Sequence, residues 1–439
     1  MAIKIIVMCV YFVIVFFLGY LGWKQTKSSS DYMLAGRKMN PIVMALSYGA
    51  TFISTSAIIG FGGVAGLFGF PLLWLTFLNI FVGIFIAMIF FGRRTRRMGL
   101  ALDSKTFPEL LGLRFNSKFI QGFSGLVIFL FIPVYAAAVL IGISRMIEVG
   151  FEMNYYLAMC GFTVLIAVYV ITGGLKAVMY TDAFQGGIMF FMMLFLLIFT
   201  YNQLGGIVPA HEALTDLAKF MPEKLVKGGM VGWTEGARFG TPIWLVIYTT
   251  IIFGVGIGVL AQPQLIVRFM TVRSNRELNR AVLIGGVFIM VAVGVSFIIG
   301  ALSNVFFYSY DEQTMGKIAL VAAGKNVAEI IPMYISHAMP QWFTAIFMIT
   351  LLSAAMSTLS SQFHAMGTSL GRDIYEKALG LKGNSVIITK TGILFAIMVS
   401  YFLAWGLPVF FEGGTAIIAR GTAIFFGIVT ACMGSNPFL

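Results

Sequence analysis

The chain has 439 residues, is 59% hydrophobic and only 10% charged, and has a mean hydropathy of +0.95. Soluble domains carry about 25% charged and 45–50% apolar residues, so this composition excludes a soluble globular protein and a disordered one. The formal charge of +12 does not make a nucleic-acid binder, because the basic residues sit in short loops between apolar segments and not on one polar face.

A hydrocarbon core about 30 Å thick takes about 20 apolar residues per helix. Eleven apolar segments meet that length, at 4–23, 41–67, 71–92, 119–144, 155–173, 183–203, 241–267, 281–306, 341–368, 385–407 and 413–432. The expected class is an all-α, multi-pass protein of the cell membrane, with lipid and a small solute as its partners. The long loops are 93–118, 204–240 and 307–340. The 49 glycines suit helices packed closely in lipid. Helix 1 has no small-residue cleavage site and reads as a retained span. Cys9, Cys160 and Cys432 lie in or beside apolar segments and offer neither a disulfide framework nor a metal-binding spacing.

Orientation follows from the basic residues. Loops after helices 1, 3, 5, 7 and 9 hold 20 of the 29 Lys and Arg, counting Lys390. The N-terminal end and the loops after even helices hold 8, and Arg420 lies inside helix 11. Positive charge stays in the cytoplasm, so the N-terminus is expected outside. The strongest cluster, Arg93, Arg94, Arg96 and Arg97, reads as a solvated anchor at the headgroups.

Helices 2 and 7 differ from the rest. Helix 2 carries a hydroxyl-rich run from Ser47 to Ser56, then Gly60, Gly62 and Gly63. Helix 7 carries Gly254, Gly256 and Gly258, then Gln262-Pro263-Gln264. Gly and Pro weaken a helix interior, and proline removes a donor. Broken backbone at membrane depth is tolerated where it lines a cavity or is buried in protein. The interrupted helices are five apart, so helices 2–6 and 7–11 form two halves of opposite topology. That is an inverted repeat, with the site at the two breaks. The expected organisation is 1–40 as an extra first helix and cytoplasmic loop, 41–203 as the first repeat, 204–240 as an external loop, 241–432 as the second repeat, and 433–439 as a tail.

On helix 9, Ala354, Ser357, Thr358 and Ser361 are spaced i, i+3, i+4, i+7 and share one face. Their oxygens suit a hard cation such as sodium. The same stripe also suits hydrogen bonding between helices, and spacing alone does not choose. Asp182, at the start of helix 6, forms a D-x-x-Q capping arrangement with Gln185. An acid beside an apolar span is equally a functional candidate if it faces inward.

Four motifs occur in order: Ala35-Gly36-Arg37; Gly173-Gly174-Leu175 with Tyr180-Thr181-Asp182-Ala183-Phe184-Gln185; Ala261-Gln262-Pro263-Gln264 with Arg268-Phe269-Met270; and Ala355-Met356-Ser357-Thr358-Leu359-Ser360. Over roughly residues 10–405 the chain resembles the sodium/solute symporter family of proline, pantothenate, sialic-acid and sugar carriers, and its helix 7 motif resembles the proline branch most. The resemblance implies a LeuT-like core of five plus five helices with one extra N-terminal helix. It implies a first Na+ site from the carbonyls of Ala50, Ile53 and Ala354 and the hydroxyls of Ser357 and Thr358. It implies a second from Asp182, Ser357, Ser360 and Ser361. The chain departs from some members in having Phe52 where they are polar or acidic, which disfavours a sugar. It stops at Leu439, where members usually continue with further helices, so a short or truncated member is expected.

Substrate is expected between the breaks, with Phe52, Ser54, Ser56, Trp74, Phe77, Gln262 and Gln264 as candidate contacts and no Arg or Lys in the pocket. His364 reads as a satisfied core histidine, and Arg420 as the only basic residue well inside a span. The expected activity is sodium-coupled symport of an amino acid or small carboxylate into the cytoplasm by alternating access. A proton-coupled carrier of the same fold and a channel-like or sensory membrane protein are the alternatives. No H-E-x-x-H, G-x-S-x-G or paired intramembrane acid supports an enzyme.

Overall fold

The computed structural model describes residues 2–151, 153–381 and 383–410. They are overwhelmingly helical and contain no strand. The expected span 413–432, with Arg420 and Cys432, and the tail 433–439 lie outside the described residues.

The membrane-length elements run in chain order. They are α1 (Ala2–Gln25), a two-part α2 (Pro41–Phe52 and Ser56–Phe68), α3 (Phe70–Ala101) and α4 (Lys118–Phe151). A single helical stretch, Tyr155–Gln203, follows. Next come a two-part α7 (Pro242–Ala261 and Pro263–Phe269), α8 (Asn275–Ser309), α9 (Gln341–Ala378) and α10 (Ser385–Phe410). At 1.5 Å per residue, a straight 49-residue helix would be about 74 Å long, more than twice the hydrocarbon thickness of about 30 Å. It does not run straight. Gly174 has φ 62° and ψ −168°, and a β-carbon there would lie 2.6 Å from the Tyr32 ring. Residues 155–173 are therefore α5 and residues 175–203 are α6, two crossings joined at a glycine.

This boundary corrects two expectations. Asp182 lies two turns inside α6, so the D-x-x-Q cap does not exist; the Gln185 amide instead donates to the Tyr11 hydroxyl at 3.0 Å. Helix α9 also continues ten residues past the expected end at 368.

The α2 halves meet at 55°. Ile53 is extended (φ −96°, ψ 106°) and ends the first half. The run Thr51 to Ser56 combines β-branched residues with hydroxyls that compete for backbone groups, so helix propensity is low where the chain turns. In α7, Gln262 is extended (φ −74°, ψ 113°). Pro263 imposes this on its predecessor by steric clash, then starts the next half at its first position.

Packing sorts the helices into two groups. Helices α7 and α8 each pack on α2 and α3, helices α4, α5, α9 and α10 pack together, and α6 joins the groups by packing on α2 and α9. The α2–α8 approach is close enough that a β-carbon at Gly300 would lie 1.9 Å from the Gly62 carbonyl oxygen. The chain from 28 to 40 straps one end of the bundle. Asp31 pairs with Lys176 at 2.9 Å, Arg37 donates to the Ser104 carbonyl at 2.8 Å, and the Met39 amide donates to the Thr271 carbonyl at 3.1 Å. Burial raises the Asp31 pKa, but the Lys176 and Ser28 hydrogen bonds outweigh it and hold the acid below its usual value.

The arginine cluster, expected in a loop, lies in the last turns of α3 and does more than anchor. Arg96 donates to the carbonyls of Val272 (3.1 Å) and Arg273, and Arg93 donates to Asn279 at 2.9 Å. Two of its four members thus clamp the end of α7 and the start of α8.

Candidate functional site

A helix leaves its last four carbonyls without partners in the ladder. At the end of the first half of α2, the α9 hydroxyls meet these oxygens. Ser357 Oγ lies 2.8 Å from the Ala50 oxygen and 3.3 Å from the Ala354 oxygen. Thr358 Oγ1 lies 3.2 Å from the Thr51 oxygen and 3.4 Å from the Ile53 oxygen. Ser357 and Thr358 are fully buried. The structure therefore brings together all five oxygens expected of the first cation site. They are neutral and hard, and two hydroxyl protons face more acceptors than they can satisfy. A small alkali cation fits such a donor set.

One turn along α9 is a second cluster. Asp182 is fully buried. Its Oδ2 accepts from Ser47 at 3.0 Å and Thr51 at 3.1 Å, and Ser360 and Ser361 each approach a carboxylate oxygen at 3.4 Å. Three of the four residues expected at the second site, Asp182 itself with Ser360 and Ser361, are thus brought together. Ser357 presents its carbonyl to this side, accepting from Ser360 at 3.1 Å, while its hydroxyl serves the first cluster.

The sequence reading did not place a base here. Arg268, fully buried, donates from Nη2 to Asp182 Oδ2 at 2.7 Å and to Thr51 and Ser361 at 2.6 Å each. Its Nε donates to Ser47 at 3.0 Å, and its Nη1 to the Gln264 carbonyl at 2.5 Å. A guanidinium thus occupies the space beside Asp182. Arg268 falls one residue past the expected end of helix 7, where basic residues usually meet solvent. The signal that could have found it was the buried acid Asp182, earlier in the chain, that needed a countercharge.

Above the arginine, Gln264 donates to Gln262 at 2.6 Å, and both are buried. Gln264 Oε1 and Thr55 Oγ1 have no hydrogen-bond partner among the described residues. Ser54 accepts from Tyr135 on α4 at 3.1 Å, a tyrosine the sequence reading passed over because it lies in an ordinary apolar span. Ser56 is buried beside them, and the half-buried Phe52 ring packs towards Gly83 on α3. Trp74 and Phe77 do not join: they are 57% and 52% exposed on the outer face of α3. That helix turns Thr76 and Asn79 inward instead, because its polar residues and not its large rings seek the interior. His364 is buried, with Nε2 3.0 Å from the Tyr32 carbonyl oxygen, the satisfied core histidine expected.

Two cavities flank the site. A small one of about 20 Å³ runs along α9 past Arg268, Ser361, His364 and Ser369 to Lys105 and Thr106. A larger one of about 440 Å³ lies at the opposite end of α9, against Ile59, Arg145, Phe347 and Leu351.

The family model for the sodium:solute symporter family matches residues 32–436. The chain belongs to the sodium:solute symporter family. A sodium/proline symporter of Staphylococcus aureus (strain bovine RF122 / ET3-1) is 29% identical over 410 residues, covering 91% of this chain and 75% of that protein. The osmoregulated proline transporter OpuE of Bacillus subtilis (strain 168) is 26% identical, covering 91% and 77%. The solved structure of a Na+-coupled sialic acid symporter superposes with a TM-score of 0.79 at 19% identity, covering 99% of this chain and 87% of that one. The symporter is thus a LeuT-like membrane transporter, without strands among the described residues, and not an enzyme, and its family supports Na+ as the coupling ion.

Proposed function

We propose that this symporter couples the inward flow of Na+ to uptake of a small amino acid, with proline the first candidate, across the plasma membrane by alternating access. The observation that carries it is the convergence of five oxygens from α2 and α9 within hydrogen-bond distance. In this reading Ala50, Ile53, Ala354, Ser357 and Thr358 hold the first ion. Residues 41–203 and 241–432 are the two repeats, and the N-terminus is outside.

The ion site bridges the two helix groups, because the carbonyls of Ala50 and Ile53 belong to α2, whereas the Ala354 carbonyl and both hydroxyls belong to α9. A bound cation therefore tightens the contact between groups that must move apart, and it drives the cycle only through its different affinity for the two arrangements. The unpartnered Gln264 amide oxygen and Thr55 hydroxyl serve the solute, since buried polar groups need partners. An amino acid supplies an ammonium or imino donor to the first and a carboxylate acceptor to the second. Relatives named for proline carriage support this class. A second Na+ at Asp182, Ser360 and Ser361 requires Arg268 to withdraw, so the two cations alternate at one acid. Each charge crossing about 100 mV yields roughly 2.3 kcal/mol, and two yield roughly 4.6 kcal/mol, on the order of a thousandfold accumulation of a neutral solute.

The test is uptake of radiolabelled L-proline into proteoliposomes under an inward Na+ gradient. Uptake in sodium and none in choline is expected. Equal uptake in both, driven by a pH gradient, overturns sodium coupling. Sodium-dependent uptake of another small amino acid in its place changes the solute alone.

A further inference from the structure

Four turns beyond the first cation cluster, α9 carries an acid that the site does not use. Asp373 is fully buried. Its Oδ1 accepts from the Thr106 hydroxyl at 2.6 Å and from the Gln121 amide at 2.9 Å. Its Oδ2 has no hydrogen-bond partner among the described residues, and neither has the Ser369 hydroxyl one turn earlier, which is 1% exposed. The adjacent Arg372 forms no ion pair with Asp373: its guanidinium is engaged by Glu109 at 2.8 Å and by Glu376. A carboxylate withdrawn from water without a countercharge is costly. A proton or a small cation completes it.

The position says where such a cation comes from. Ser361, Ala365, Ser369 and Asp373 recur every four residues and share one face of α9. The narrow cavity follows this face from Arg268 and Ser361 to Ser369 and Thr106. Its volume of about 20 Å³ accommodates a single water-sized species. One end lies at the Asp182–Arg268 pair, and the other at the hydroxyl that donates to Asp373.

We propose that Asp373 Oδ2, with the hydroxyls of Ser369 and Thr106, forms a further monovalent-cation site at the end of this passage, where Na+ rests after leaving the α2–α9 site. The inference rests on sodium coupling as proposed above, and it adds a binding step beyond Asp182. The single acid keeps the hold weak enough for release.

The test uses the purified full-length symporter and 22Na+ alone, with no solute. Binding is measured by scintillation proximity and displaced by unlabelled NaCl, with choline chloride as the inert control. In wild type, two components of displacement are expected. Ser357→Ala/Thr358→Ala removes one and leaves the other. Asp373→Asn removes the other, Asp373→Glu restores it, and Ser369→Ala raises its half-displacing concentration at least threefold. Should Asp373→Asn not elute as a monodisperse species, Ser369→Ala decides by the same criterion. Unchanged displacement curves in Asp373→Asn and Ser369→Ala, with wild type binding 22Na+, overturn this site and leave sodium coupling standing. Absence of any choline-resistant 22Na+ binding in wild type overturns both. Displacement of the Asp373 component by acidification alone, with no dependence on unlabelled Na+, assigns the acid a proton and overturns the cation site.

Discussion

The Asp182–Arg268 pair offers the sharpest test of how the site is held. Both side chains are fully buried, at 2.7 Å. Arg268→Gln leaves a carboxylate with only hydroxyl donors, and Asp182→Asn leaves a guanidinium with only neutral acceptors. Removing one partner of a buried ion pair destabilises by about 3–5 kcal/mol. With an unfolding entropy of about 2.1 cal/mol/K per residue over roughly 400 residues, this corresponds to a fall in Tm of about 4–6 °C. Each single variant should therefore lose about 5 °C in a fluorescence-detected size-exclusion melt without sodium, whereas Asp182→Asn/Arg268→Gln should recover most of the loss. Sodium separates the two singles. In Arg268→Gln the carboxylate is open to Na+, and binding at a hundredfold excess over Kd adds about 2.7 kcal/mol, or about 3 °C at the same entropy. Asp182→Asn gains nothing at that position. Additive losses in the double variant, or an Arg268→Gln protein no more sensitive to Na+ than wild type, would refute the argument that the two cations share one acid.

Three further outcomes follow from the geometry. Ser357→Ala and Thr358→Ala each remove one oxygen from the first cluster, and each should raise the Na+ concentration for half-maximal proline uptake several-fold, with smaller effects on proline affinity at saturating Na+. Gly300→Val places branched carbon where the Gly62 carbonyl lies, and overpacking of this kind costs about 1–3 kcal/mol; the melt should fall, whereas the same change at the uncrowded Gly187 should leave it within about 1 °C, since a β-carbon there meets nothing within 4 Å. Because the pKa of Asp31 is lowered in the folded protein, its pairing stabilises above the usual carboxylate value of about 3.9 and is lost only as pH falls through the lowered value. Hydrogen exchange of residues 28–40 should therefore show unchanged protection, after correction for intrinsic rates, from pH 8 to 5, and Asp31→Asn should show reduced protection throughout that range.

Much of this protein is written locally. Span lengths follow from runs of apolar residues, because the bilayer sets the length. The two breaks follow from Pro263 and from the hydroxyl-rich run at 51–56, since these act on their own backbone. The oxygen-bearing face of α9 follows from helical period alone. The pairing of that face with α2 rested on resemblance, and the distances from Ser357 and Thr358 to the α2 carbonyls bring it within hydrogen-bond reach. What tertiary structure decided is the charge arrangement. Asp182 and Arg268 are 86 residues apart and lie in different repeats, and no local pattern states which base meets a buried acid. The same holds for Asp373, which lies five residues past the expected end of helix 9, and for Trp74 and Phe77, which sequence allows to face either way. Period and propensity act within a few turns of chain. Burial, and the charge compensation that burial demands, act only once distant helices have packed.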